Sequence, residues 1–214
     1  MYYTYRQERR GQMKIIGITG PSGSGKSVLC RFLSENGVFC IDADEVYHSL
    51  LVPPSECLDA IRRAFGDGVF GADGGLDRAA LASLVFNDAQ KLELLNSTVL
   101  EYVLAKIREI IVDYREQGAK TVAVDAPTLI ESGFDKECDI VVSVIAPPEE
   151  RKERIIERDT ISEQRASERI KAQKSDEFYI THSDVVLQND GTTEQLKRAV
   201  ESLLGRLMEE GDDA

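Results

Sequence analysis

Apolar residues along the chain follow two rhythms. Nearly unbroken apolar runs at 13–19, 38–42, 121–125, 139–145 and 185–187 are strand-sized and lack polar alternation, as expected of strands buried on both faces. Between them, apolar residues recur at spacings of three and four. Val28, Leu29, Phe32 and Leu33 mark a helix after the first run. Leu92, Leu95, Val99, Val103, Ile107, Ile110 and Ile111 mark one long amphipathic helix. Leu196, Val200, Leu203, Leu204 and Leu207 mark the last, opened by the capping pattern Thr192-Thr193-Glu194-Gln195. Residues 43–117 read as helical, broken at Pro53-Pro54, at 66–75 and at Asn87-Asp88, and a charged helical pair follows at 149–174.

Short buried strands alternating with helices predict an α/β fold, a doubly wound parallel five-stranded sheet covered on both faces. The stretch between the second and third strands is too long for a plain crossover. It reads as a helical region inserted at the C-terminal side of the strands, where ligands bind in such sheets. The expected division is a core of residues 13–44, 118–148 and 184–214, a helical insertion at 45–117, a mobile helical segment at 149–176, and a disordered extension at 1–12 ahead of Met13.

Charge narrows the choice of partner. The 214 residues carry a net charge of −12, which argues against a general nucleic-acid binder. No apolar run approaches the ~18 residues that a bilayer span needs, so no membrane partner is expected. An anionic small molecule remains compatible if a local cationic pocket receives it. Cys30, Cys40, Cys57 and Cys138 form no CxxC pair, and His48 and His182 are the only histidines, so neither zinc nor a disulfide framework is expected. Cys57 and Cys138 read as small core hydrophobes, and both histidines as surface or packing residues. The polar N-terminus has no apolar signal region, and a reducing cytoplasm is the expected compartment.

The strongest chemical signal is Gly20-Pro21-Ser22-Gly23-Ser24-Gly25-Lys26-Ser27. It fits G-x4-G-K-[ST] and lies between an apolar strand and an apolar-periodic helix, the context such a phosphate loop requires. Its glycines let backbone N–H groups converge on phosphate oxygens, and the helix N-terminus adds its dipole. Lys26 would neutralise the β- and γ-phosphates and Ser27 would offer a hydroxyl to Mg²⁺.

Asp42 and Asp44 end the second strand. Either alone reads first as a helix N-cap, but beside the phosphate loop the preferred reading is a proton acceptor for a substrate hydroxyl. Asp125 ends the third strand as a Mg²⁺-holding acid would, or as a solvated residue entering a turn. Residues 149–176 hold eight basic and eight acidic side chains. Within them Arg154 and Arg158 share a helix face and suit closure over phosphates, although on charge alone a solvated helix with ion pairs such as Glu150–Arg154 is the better explanation. Gln173-Lys174-Ser175-Asp176 is loosely similar to a guanine-reading motif but falls in a stretch read as helical, and is set aside.

Taken in order, these segments resemble the dephospho-coenzyme A kinase family along 14–207. The resemblance is carried by Ile16 through Ser27, Ile41-Asp42-Ala43-Asp44, Gly75 through Leu81 followed by Val85-Phe86, Asp125-Ala126-Pro127 with Leu129 through Gly133, and Arg158-Asp159. It implies transfer of phosphate from ATP to the ribose 3′-hydroxyl of dephospho-CoA, with 45–117 binding the acceptor and 149–176 acting as a lid. It favours Asp44 as the base, raises Arg154 and Arg158 to residues facing the phosphates, and places the turn at Asn189 near the adenine. The implied catalytic residues are Asp44, Lys26, Arg154 and Arg158. The implied nucleotide contacts are Gly20, Ser22, Gly23, Ser24, Gly25, Lys26, Ser27, Val28 and Asn189, with Ser27, Asp42 and Asp125 about Mg²⁺. The family's usual His-Pro pair reads Leu100-Glu101 here. Its Ser-Arg-x-x-Arg stretch reads Ser175-Asp176-Glu177-Phe178-Tyr179, so residues 176 and 179 inherit no anion-binding role. The alternatives are another P-loop kinase, for a nucleoside or nucleotide, and a nucleotide-dependent switch or binding module. The switch would need a DxxG after the third strand, and Asp125-Ala126-Pro127-Thr128 lacks its glycine.

Overall fold

The structure is a computed structural model that describes residues 13–86 and 88–212. The expectation for residues 1–12, the break at Asn87 and the side chain of Leu207 lie outside the described residues and side chains.

Five strands form one sheet in the order β2-β3-β1-β4-β5: β1 is Lys14–Thr19, β2 Phe39–Asp42, β3 Thr121–Asp125, β4 Ile140–Ile145 and β5 Val185–Gln188. The pairings β1–β3, β1–β4 and β4–β5 are parallel. β1 is central, flanked by two strands more than a hundred residues downstream. In parallel sheets both faces are covered, which is why Ile16, Ile18, Val122, Val142 and Val144 are all shielded from solvent. Ile16, Ile18, Ala123, Val142 and Val144 share one cluster with Leu29, Phe32 and Leu33 from α1 (Lys26–Glu35) and Leu196, Val200 and Leu203 from α9 (Thr193–Asp212). The doubly wound α/β architecture read from the sequence is the one observed.

The described chain divides into two compact units. Asp42–Asp113 forms one, and the residues up to Ile41 and from Tyr114 onward form the other, sheet-based unit. The Asp42–Asp113 unit begins with α2 (Ala43–Leu50), α3 (Glu56–Phe65) and α4 (Arg78–Val85), and the long α5 (Ala89–Glu116) runs out of it. Each of the first three starts on an oxygen cap: Asp42, Ser55 and Asp77 accept from backbone N–H groups of the first turn. In α5 the apolar stripe is buried at Val99, Val103, Ile107 and Ile111, whereas Leu92 and Leu94 are 43% and 46% exposed.

Three helices follow β4: α6 (Pro148–Asp159), α7 (Glu163–Lys171) and α8 (Asp176–His182). α6 has Pro148 in its first turn, where no N–H is missed, and ends on Thr160 in the left-handed region. The short α8 was not legible in the periodicity. Its N-cap is Ser175, so Gln173-Lys174-Ser175 is the non-helical connection between α7 and α8, which corrects the helical reading of that stretch. At the start of α9 the capping pattern is reciprocal: Thr192 N–H donates to Gln195 Oε1 at 2.7 Å and Gln195 N–H donates to Thr192 Oγ1 at 3.3 Å. Among the described residues no helix is long and apolar enough to cross a membrane.

Candidate active site

The loop after β1 is built by its glycines. Gly25 precedes α1 at φ 105°, a conformation closed to side-chain-bearing residues, and a Cβ there would lie 2.2 Å from the Asn189 amide nitrogen. Asn189 itself is buried and follows β5. Its side-chain N–H donates to Ser24 O at 2.7 Å, and its backbone N–H donates to Ile145 O at 2.8 Å. The end of the sheet thus holds the loop at Ser24–Gly25. Ser24 is fully buried and its Oγ has no protein partner, an unmet hydroxyl within the loop. Lys26 opens α1 and its ammonium donates to Gly20 O at 2.8 Å and Pro21 O at 3.4 Å. Ser27 is exposed on the first turn, and Val28 turns its side chain toward the core.

α6 brings cations to the same loop. Arg154 Nη1 donates to Gly23 O at 3.2 Å, and Arg158 Nη2 donates to Ser22 Oγ at 3.4 Å. The ion pair Arg154–Glu150, 2.7 Å, is also present, so the pairing expected from the charge pattern exists beside the contact with the loop. Arg154 Nη2 further donates to Asn189 O at 3.4 Å. Arg158 is bound by Asp159, which also pairs with Arg169 of α7. These guanidiniums, Arg158 foremost, hold the Asp159 carboxyl down to about 2.

Arg151 precedes these two on the same face of α6 and was not singled out from the sequence. It is 3% exposed, donates through Nε to Ser22 O at 3.2 Å, and pairs with Asp176 at 3.2 Å. Spacings of three and seven to Arg154 and Arg158 were the available signal. The neutral total charge of 149–176 conceals it, because a total does not distinguish buried charges from exposed ones.

Asp125 pairs across the sheet with Ile18, two residues before the loop begins. Its Oδ2 accepts from the Cys30 thiol at 3.5 Å. The Cys30 thiol is pushed up by its hydrogen bond to Cys40, by burial and by the Asp125 charge. Cys57 and Cys138 are buried, in keeping with small core residues. In the other unit Asp42 caps α2: its Oδ1 accepts from Asp44 N–H at 2.8 Å and Glu45 N–H at 3.2 Å. Asp44 stands exposed in the first turn of that helix.

Among the described residues no three His, Cys, Asp or Glu side chains converge as a self-sufficient metal site. The donors expected about Mg²⁺, a serine hydroxyl and carboxylates, are hard oxygens. A protein that supplies one or two of them and leaves the rest to phosphates and water fits how this ion is bound.

A central parallel strand, a glycine-built loop with its lysine opening the next helix, and arginines reaching that loop from another helix define a P-loop protein of the kinase type. The dephospho-CoA kinase family model matches residues 14–195, and the chain belongs to that family. Similar proteins include a dephospho-CoA kinase of Symbiobacterium thermophilum, 38% identical over 89% of this chain and 80% of the other. One from Dehalococcoides mccartyi is 36% identical over 92% and 99%. Among solved structures, TT1252 from Thermus thermophilus superposes with a TM-score of 0.76 at 33% identity, covering 92% of this chain and 98% of that one.

Proposed function

We propose that this chain is an ATP-dependent dephospho-CoA kinase that phosphorylates the ribose 3′-hydroxyl of its acceptor. Family membership along 14–195 supports the reaction. The single observation that carries the site is the meeting of Arg154 and Arg158 with the loop at Gly23 and Ser22.

Loop 20–27 binds the ATP phosphates through backbone N–H groups, Lys26 neutralises the β/γ charge, and Arg154 and Arg158 stabilise the charge of the transferring group. Asn189 supports the loop beside the base of the nucleotide. Ser27, Asp42 and Asp125 are the residues that would hold Mg²⁺, which would supply positive charge to the phosphates. Asp44 accepts the proton of the attacking hydroxyl. It is preferred to Asp42 as the base because one Asp42 oxygen is already engaged as a helix cap. Residues 45–117 receive the acceptor, and 149–176 act as the lid.

The test is ATP consumption with dephospho-CoA, adenosine and AMP as acceptors in parallel, with the position of the new phosphate established by NMR. Preferred turnover of dephospho-CoA to the 3′-phosphate is the expected result. Preferred turnover of adenosine or AMP would overturn the reading in favour of a nucleoside or nucleotide kinase.

A further inference from the structure

All three polar groups of Ser22, within the phosphate loop, are taken by the segment 151–173. Arg151 Nε donates to Ser22 O at 3.2 Å. Ser22 N–H donates to Gln173 Oε1 at 3.2 Å. The Ser22 hydroxyl accepts from Arg158 Nη2 at 3.4 Å. The first two contacts are one unit, because Arg151 Nη2 donates to that same Gln173 Oε1 at 3.0 Å. The remaining arm of Arg151, Nη1, is bound by Asp176 at 3.2 Å.

Arg151 is not placed to touch a phosphate. It is 3% exposed, and its three nitrogens are committed to Ser22, Gln173 and Asp176. A guanidinium so deeply buried needs a counter-charge and near-complete hydrogen bonding, or its desolvation is uncompensated. Asp176, half-buried at the start of α8, supplies the charge. The loop also lies directly on the first turn of α6: a Cβ on Gly23, at φ 78°, would come within 2.7 Å of Arg151 O. Loop, helix and the α7–α8 connection are therefore one packed unit.

We infer that Arg151, Gln173 and Asp176 form a positioning set that fixes the backbone of the phosphate loop at Ser22, and so sets the affinity for ATP without contacting it. The inference rests on reading loop 20–27 as the ATP site. It gives Asp176 a purpose in this chain other than anion binding: it is the carboxylate that keeps a buried arginine charged and aimed. The planar fork of Arg151 is essential to it, since one lysine nitrogen cannot bind three partners in one plane.

The test is steady-state kinetics of the full chain, varying ATP and dephospho-CoA separately. Arg151→Gln should raise the KM for ATP about tenfold or more, the scale of losing hydrogen bonds to a charged group. The KM for dephospho-CoA should stay within about twofold, because the set touches only the loop. Should Arg151→Gln fail to fold, Asp176→Asn provides the same test at a half-buried site, with the same selective rise in the KM for ATP. Asp176→Glu, which retains the charge, should restore most of it. A purely structural role would lower the melting temperature without separating the two KM values. A folded Arg151→Gln protein with its KM for ATP within twofold of wild type, or a parallel rise in both KM values, would overturn the positioning role. Lys26→Met, measured for binding of a fluorescent ATP analogue, separates the two readings. Wild-type binding by that variant would sink the loop as the ATP site, whereas weakened binding beside a normal Arg151→Gln would sink only the positioning set.

Discussion

Lys26→Met keeps the aliphatic stem of the side chain and removes its charge. In phosphoryl transfer the protein contributes positioning and electrostatics, so this one change should lower kcat by ~10²-fold or more. Circular dichroism should show the fold retained. The two acids after β2 separate by a different logic. Asp44→Asn removes a base and should lower kcat by ~10²-fold at nearly unchanged stability. Asp42 acts on α2 through its cap, so Asp42→Ala should cost about 1 kcal/mol in urea unfolding, while Asp42→Asn, an equally good cap, should cost little. If Asp42→Asn slows turnover more than Asp44→Asn, the base has been assigned to the wrong acid. At this scale the sequence was informative wherever a residue acts through its immediate neighbours. The phosphate loop was legible because its geometry is local. The Arg151–Asp176 pair was not, because its members are 25 residues apart and neither motif nor periodicity joins them.

The α6–α7 pair turns on Asp159, which binds Arg158 on its own helix and Arg169 on the next. Its folded-state pKa of about 2 lies below the ~3.9 of an unfolded aspartate. The depressed value means that its contribution to stability is complete above about pH 4 and is lost as pH falls from there toward 2. Asp159→Asn should therefore be less stable than wild type at pH 6, and urea unfolding should show the difference shrinking between pH 4 and pH 2. A difference constant across that range would mean that the carboxylate charge contributes nothing. In α5 the apolar periodicity predicts one stripe, and the structure divides it. Ile107→Ala should cost ~2–5 kcal/mol, since Ile107 is 1% exposed and leaves a cavity. Leu92→Ser and Leu94→Ser should stay within about 0.5 kcal/mol by the same measurement. Periodicity shows that residues share a helix face, but not how far along the helix something covers that face. The strands were easier to read, because burial on both sides leaves an unbroken apolar run. The seven-residue α8 is too short for a period to emerge.

For the molecule as a whole, the question is which hydroxyl receives the phosphate. A phosphate loop leaves this open, and the Asp42–Asp113 unit is the part of the chain with residues to spare for it. If it grips the long arm of the acceptor, remote binding energy holds the reacting end in line. kcat/KM for dephospho-CoA should then exceed that for adenosine by at least ~10²-fold. Comparable values for the two would mean that the unit adds nothing to acceptor choice.

The central place of β1 has a consequence for how the protein is made. Lys14 pairs with Thr121, and Ile15 N–H donates to the Asp139 carboxylate 124 positions away at 2.7 Å. Translation delivers the strand and its phosphate loop first, and both of the strand's neighbours late. At about 5–20 residues per second, the ribosome holds this apolar segment without a partner for several seconds. A nascent chain arrested short of residue 121 carries the complete motif and neither of the strands that flank it, so it should not be retained on immobilised nucleotide. Until the fourth strand emerges, the part of the sequence that is easiest to recognise is also an aggregation hazard, and its safe passage depends on chaperones or on speed.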